Sequence, residues 1–342
     1  MIALERKPLL DVDKIVKDIT QICKKRGSKC CFVQLPEGLI HLAHKISSEV
    51  LKEGIRCVVS VDPCFGACDI PYWKAKILGC DLIVHVGHAP IPTIKVPFNI
   101  EFVEIFYDVY SLEIDLERLL NVLRKKDVKN VGLVATVQYI KVMKKVGEYL
   151  QKNGIKVHIG KASGRAVYDG QILGCNVSTA MNIRENVDLY VFIGDGLFHP
   201  VAIYLATNKP VLAYNPLTCE IKDVKDLGDK LLRVRIMHMI KTSEAQSFGI
   251  IVTSKIGQYS RSALESAIKT LKDYKKDYSV IHMENIGESL NYIKDVDAFV
   301  IVGCPRLVYD DYAKFKKPVV TVPELILLLE GKFDKWSFME LL

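Results

Sequence analysis

Asp81-Leu82-Ile83-Val84-His85-Val86-Gly87, Asp188-Leu189-Tyr190-Val191-Phe192-Ile193-Gly194 and Asp297-Ala298-Phe299-Val300-Ile301-Val302-Gly303 are three versions of one segment, D-x-x-V-x-[VI]-G. They recur at steps of 107 and 109 residues. Each is an apolar run of strand length with no polar alternation, the pattern of a strand covered on both faces. A period this long marks repeated domains, because stacked solenoid units repeat at roughly 20–50 residues.

Working outward, each third opens alike. Helical patterns over 13–25, 115–126 and 224–241 precede short apolar strands over 31–35, 131–135 and 249–252. A second amphipathic helix follows over about 40–53, 139–152 and 260–274, and Gly54 and Gly154 close two of these. After each repeated segment a further short strand is predicted, at Val96-Pro97-Phe98, Lys209-Pro210-Val211-Leu212 and Lys317-Pro318-Val319-Val320. Apolar strands alternating with helices give parallel sheets with helices on both faces. The expected fold is α/β: three tandem related Rossmann-like domains, over 1–110, 111–221 and 222–342, with their parallel sheets arranged around a central site. Right-handed crossovers place the strand C-terminal ends of each sheet on one side, where α/β sheets bind ligands.

Composition sets outer bounds. The chain has 342 residues, 49% hydrophobic and 25% charged, ordinary values for globular domains. The net charge of +7 is spread along the chain and suits solvation. Met1-Ile2-Ala3-Leu4-Glu5-Arg6-Lys7 has no apolar run after its charges, and no stretch is long and apolar enough for a bilayer span. The protein is expected to be cytoplasmic, with no membrane contact. No G-x-x-x-x-G-K-[ST] occurs, and no arginine-rich stripe with interleaved aromatics points to direct nucleic-acid binding.

Ten cysteines in a reducing compartment are core residues, nucleophiles or metal ligands. No C-x-x-C exists; Cys64 and Cys68 form C-x-x-x-C, with Pro71 where a radical-SAM signature places its third cysteine. Each third carries one cysteine in a glycine-framed loop after a strand. These are Cys68 in Pro63-Cys64-Phe65-Gly66-Ala67-Cys68-Asp69, Cys175 in Gly170-Gln171-Ile172-Leu173-Gly174-Cys175, and Cys304 in Gly303-Cys304-Pro305-Arg306-Leu307. Three thiolates from three domains would hold a 4Fe–4S cluster with one iron open to substrate. A small buried hydrophobe is the competing reading for each. Cys64 and Cys219 are rivals as ligands; Cys23, Cys30, Cys31, Cys57 and Cys80 fall on helix or strand patterns and read as core.

At these loops the chain resembles the 2-(3-amino-3-carboxypropyl)histidine synthases of diphthamide biosynthesis. The likeness includes Gln34-Leu35-Pro36-Glu37-Gly38 and Gly194-Asp195-Gly196-Leu197-Phe198-His199, and it runs the length of the chain. The resemblance implies a noncanonical radical-SAM transferase. Its 4Fe–4S cluster, one per chain, is held by Cys68, Cys175 and Cys304, and S-adenosylmethionine (SAM) is the co-substrate. It implies cleavage of the bond between sulfur and the γ-carbon, and transfer of the 3-amino-3-carboxypropyl group to carbon 2 of a histidine in elongation factor 2. It further implies an electron donor and a homodimer.

For SAM, the candidates are Asp195, Gly196 and His199, which follow a strand of the second domain, and Arg306, which could pair with the SAM carboxylate. His85 reads as core and His88 is left open; solvation is the favoured reading for Arg165. Two other functions remain in view: a non-catalytic subunit of the same pathway, acting as scaffold or in electron transfer, and a three-domain nucleotide-binding module.

Overall fold

The protein is described by a computed structural model over residues 11–107 and 114–338. The first third runs α1 (Val12–Arg26), β1 (Cys30–Gln34), α2 (Ala43–Lys52), β2 (Arg56–Ser60), α3 (Tyr72–Ile77), β3 (Leu82–Val86) and β4 (Ile100–Val103). The second runs α4 (Leu116–Lys125), β5 (Asn130–Ala135), α5 (Ile140–Lys152), β6 (Lys156–His158), α6 (Ser178–Met181), β7 (Leu189–Ile193), α7 (Phe198–Thr207), β8 (Val211–Asn215) and β9 (Glu220–Asp223). The third runs α8 (Lys225–Ser243), β10 (Ser247–Val252), α9 (Arg261–Asp273), β11 (Asp277–His282), β12 (Ala298–Val302), α10 (Arg306–Tyr309), β13 (Val319–Thr321) and α11 (Val322–Leu329).

The strand orders are β2-β1-β3-β4, β6-β5-β7-β8-β9 and β11-β10-β12-β13. The same four-strand parallel arrangement therefore occurs three times, as the repeat requires. The repeated segments become β3, β7 and β12, each buried along its full length. Burial of each such Val, Leu, Ile or Phe side chain contributes about 1.5–3 kcal/mol.

The aspartate that opens each repeat has a structural task. Its carboxylate accepts backbone N–H groups at the start of the neighbouring first strand. Asp188 Oδ2 takes Lys129 N at 3.1 Å and Asn130 N at 2.8 Å. Asp297 Oδ2 takes Gln246 N and Ser247 N, both at 2.9 Å. Asp81 takes Lys29 N at 2.9 Å and the Ser28 hydroxyl. The strand-end N–H groups hold Asp188 and Asp297 below the ordinary carboxylate range. Partial burial pushes Asp81 up, but Ser28 and the backbone donors outweigh it, and it too is lowered. Equivalent helices are also capped alike: Asp11 accepts from Lys14 N and Asp115 from Arg118 N, both at 2.9 Å.

Two details differ from the expectations. Val96–Phe98 forms no strand; β4 starts later, with Asn99 O accepting from Ile83 N. Pro97 lacks the N–H that a ladder position would donate. The second sheet gains an antiparallel edge strand, β9, which includes Ile221. The expected boundary near 110 and the Met1–Lys7 segment lie outside the described residues. No helix among the described residues is long and apolar enough to cross a membrane.

One buried ion pair fixes the third sheet to its helices. Arg235 on α8 forks onto Glu324 of α11, with Nε–Oε1 3.0 Å and Nη2–Oε2 2.8 Å, and neither side chain is exposed. Its remaining donors reach Val308 O at 3.0 Å and Val319 O at 2.7 Å. Val308 lies on α10, directly after the Cys304 loop, so this pair also anchors that loop.

Two outcomes follow. Glu324→Ala strands a buried guanidinium and should destabilise the protein by about 3–5 kcal/mol in denaturant unfolding. Carboxylates with depressed native values stabilise fully above about pH 4 and lose that contribution as pH falls through those values. Asp188→Asn plus Asp297→Asn should therefore flatten the acid limb of stability against pH. At neutral pH each should cost about 1 kcal/mol, kept small by exposure.

Candidate metal centre

After β2 the chain turns through the Cys64 and Cys68 loop, closed by Asp69 N donating to Gly66 O at 3.0 Å. Gln34, the last residue of β1, donates from Nε2 to the Asp69 carbonyl at 2.7 Å. The other side of the loop is gripped by the third sheet. Lys255 Nζ meets Asp69 Oδ2 at 2.5 Å, with both side chains under a tenth exposed. Burial pushes the Asp69 carboxyl up, and the Lys255 ammonium opposes that shift. Gly257 N donates to Cys68 O at 2.9 Å, and Gln258 Nε2 approaches Cys68 Sγ at 3.5 Å.

The second third adds Arg165, whose Nη2 donates to Gly257 O at 2.7 Å. Arg165 is only 4% exposed, which overturns the solvated reading: its loop lies between sheets. Burial raises the Cys68 thiol above its ordinary range, while the Gln258 amide and the Arg165 guanidinium pull it back.

Cys175 is placed by a local hairpin. Ala135 at the end of β5 exchanges bonds with Gly170 O (2.9 Å) and Ile172 N (2.8 Å), extending that strand's edge into the loop. Leu173 and Asn176 then pair with each other at 3.0 and 3.1 Å, leaving Gly174-Cys175 at the tip. A Cβ on Gly174 would lie 2.8 Å from both Arg306 Cδ and Phe198 Cε1, so only glycine lets the tip approach the third sheet this closely.

Cys304 follows β12 by two residues and precedes α10. Burial, together with the nearby Cys68 and Cys175 sulfurs, pushes its thiol up to about 12. The Arg306 backbone N–H, donating to this sulfur, acts the other way. The Cys304 sulfur thus lies near enough to the Cys68 and Cys175 sulfurs, from the other two thirds of the chain, to feel their charge. The raised Cys68 and Cys304 thiols are unfavourable as thiolates unless a cation or cluster compensates them. A second observation fits an anionic group at this junction. Arg165 Nε is buried with no hydrogen-bond partner, beside Cys68.

The residues considered for SAM divide into two places. Arg306 stacks on Phe198 at 4.2 Å and bonds Asp310 Oδ2 through Nε at 2.8 Å. His199, in the first turn of α7, stacks on Phe192 at 5.7 Å and 9°. Burial, with Arg306 nearby, pushes the His199 imidazole down to about 3, so it is neutral at physiological pH. Asp195 and Gly196 are exposed at the end of β7, where the Asp195 charge acts on Tyr107 and Tyr139. Beyond Cys304 a cavity of about 270 Å³ is lined by Gln258, Ser260, Gly303, Pro305 and Thr321 among others. Cys219 lies at a turn between β8 and β9, where Asp115 N donates to its sulfur at 3.4 Å. The reading of His85 as core holds, since it is fully buried; His88 is half-buried beside it.

Asp69, Lys255 and Gln258 were not singled out from the sequence. Lys255 and Gln258 do follow the strand β10 at the position equivalent to the Gln34 loop, which was a usable signal.

Residues 35–341 match the model of the diphthamide synthesis protein family. The chain belongs to that family. A Pyrococcus horikoshii relative, 2-(3-amino-3-carboxypropyl)histidine synthase, is 32% identical, over 95% of this chain and 92% of its own. A Methanocaldococcus jannaschii protein of the same name is 29% identical, over 97% and 93%. The crystal structure of Dph2 from Pyrococcus horikoshii with a 4Fe–4S cluster superposes with a TM-score of 0.87 and 30% identity, covering 96% of this chain and 94% of that one. For this member of the diphthamide synthesis family, the fold expected from the repeat is the fold observed.

Gly257→Ala tests the loop junction. Its Cβ would lie 2.5 Å from Cys68 Cα and 2.7 Å from Cys68 O. The substitution should cost about 1–3 kcal/mol by unfolding and should lower the iron retained after anaerobic purification.

Proposed function

We propose that this chain is a 2-(3-amino-3-carboxypropyl)histidine synthase. It moves the 3-amino-3-carboxypropyl group of SAM to carbon 2 of a histidine in elongation factor 2, the first step of diphthamide biosynthesis. The observation that carries this reading is the convergence of Cys68, Cys175 and Cys304 from three strand-end loops, in a chain similar to one solved with a 4Fe–4S cluster.

In this reading the three cysteines hold the cluster, leaving one iron without a protein ligand. When bound, the cluster supplies one electron to the SAM sulfonium, which weakens a carbon–sulfur bond. The protein decides which bond by orientation. Arg306, with its guanidinium half-exposed over Phe198, receives the SAM carboxylate. Neutral His199 adds no positive charge against the sulfonium. Asp195 and Gly196 meet the amino or ribose end at the edge of the site. The cavity beside Cys304 and Gln258 offers apolar walls and the Ser260 hydroxyl to a nucleoside. The Gln258 amide and the Arg306 N–H, both on cysteine sulfurs, tune the cluster potential, and buried Arg165 offsets its negative charge. The protein substrate, an electron donor, a second copy of the chain and a cytoplasmic setting complete the proposal.

Anaerobic purification tests it. The wild-type protein should be brown with about four irons per chain. After reduction it should convert SAM to methylthioadenosine and not to 5′-deoxyadenosine. Cys68→Ala, Cys175→Ala and Cys304→Ala should each lose iron and SAM cleavage, while Cys219→Ala keeps both. Iron that survives Cys175→Ala but is lost with Cys219→Ala contradicts the assignment.

A further inference from the structure

Cys64 sits four residues before Cys68, in the same loop, and its sulfur lies near two histidines of the first sheet. Among the described residues, Cys64, His85 and His88 form a set whose potential ligand atoms all lie within 4.8 Å of one another. Cys64 comes from the loop after β2, His85 from the last residues of β3 and His88 from the turn after it.

The hydrogen-bond network fixes which atoms are available. Gln34 Nε2 donates to Asp69 O at 2.7 Å, so Gln34 Oε1 is the acceptor for His85 Nδ1 at 2.8 Å. His85 therefore carries its proton on Nδ1 and its lone pair on Nε2. That lone pair meets His88 Nδ1 at 3.0 Å. An imidazole whose distal N–H is held by an amide carbonyl is the usual outer-shell arrangement of a metal-ligating histidine. Burial also keeps both rings in the neutral form that ligates.

The backbone holds this arrangement. Gly87 takes φ +93°, which folds His88 back over His85, and Pro36 Cγ lies 3.1 Å from where a Cβ would stand. Gln138 of the second third donates to Gly87 O at 2.9 Å and pins the turn. On the other side the Gly66 N–H donates toward the Cys64 sulfur.

We propose that Cys64 Sγ, His85 Nε2 and a ring nitrogen of His88 bind one divalent cation of the zinc class, separate from the Cys68, Cys175 and Cys304 set. One thiolate with two imidazoles is a borderline-soft donor set that suits Zn²⁺. Bonds of about 2.0–2.3 Å place tetrahedral ligand atoms under about 4 Å apart, so the set closes by small side-chain shifts. Binding releases the Cys64 proton to solvent and displaces the proton shared between the two imidazoles. Three protein ligands leave the fourth position to water or another small ligand. The site uses none of those three cysteines, although it lies beside Cys68, so its ligand set does not depend on the function proposed above.

Cobalt(II) titration of the metal-stripped full chain tests the site. One equivalent should bind, with tetrahedral d–d bands and a thiolate-to-cobalt charge-transfer band. Cys64→Ser should lose the charge-transfer band, and the chain with Cys68, Cys175 and Cys304 all replaced by Ala should keep it. Gln34→Leu, which frees His85 Nδ1, should weaken cobalt binding about 10–100-fold. If Cys64→Ser does not fold, His88→Gln in the wild-type background should lower the affinity and alter the d–d bands. A charge-transfer band that survives Cys64→Ser, or that vanishes when the three loop cysteines are replaced, overturns the proposal. So does failure of the wild-type chain to bind one equivalent. Failure of the cluster reading would show separately, as colourless protein without iron after anaerobic purification.

Discussion

The whole arrangement depends on three strand-end loops being held together at one point. Each sheet alone would leave its loop in solvent. The joint is made by the Lys255–Asp69 ion pair, the Gly257 N–H on the Cys68 carbonyl and the Arg165 guanidinium on the Gly257 carbonyl. All three contacts join residues far apart in the chain, and most of their atoms are buried. Buried charge pairs are costly to separate, because each partner then lacks solvation and its counter-charge. That cost favours one relative placement of the sheets. The thiols it brings together are correspondingly disfavoured as isolated thiolates, and a bound cationic or cluster group would relieve that disfavour.

Much of the fold was legible because it rests on periodicity. The D-x-x-V-x-[VI]-G segments gave strand identity and copy number together, while the strand order came from the structure. Their aspartates recur for a reason the pattern did not state: each satisfies N–H groups at the start of the adjacent strand. The strand placed at Val96–Phe98 failed because it was set as the counterpart of the Pro210 and Pro318 segments: those strands start directly after the proline, whereas β4 starts only at Ile100. The edge strand β9, Glu220–Asp223, was missed because it is polar and has no counterpart in the other copies.

For the proposed site, the sequence offered the cysteines as candidates but not the residues that support them. Glycine-framed loops at equivalent strand ends indicated Cys68, Cys175 and Cys304. Nothing in spacing alone pairs Asp69 with Lys255, 186 residues later. Arg165 looked like an ordinary surface cation, since burial between sheets is a tertiary property. His85 was rightly assigned to the core, yet its bonds to Gln34 and His88 give it a second character that an apolar strand pattern hides.

The central claim is that the loop thiols grip one iron–sulfur cluster. Anomalous scattering at the iron edge, from crystals grown without oxygen, measures this most directly. The account predicts a single strong iron peak per chain lying between Cys68, Cys175 and Cys304, with no protein ligand on one of its irons. Iron located on other side chains, or three separated sulfurs with only protein between them, would contradict it.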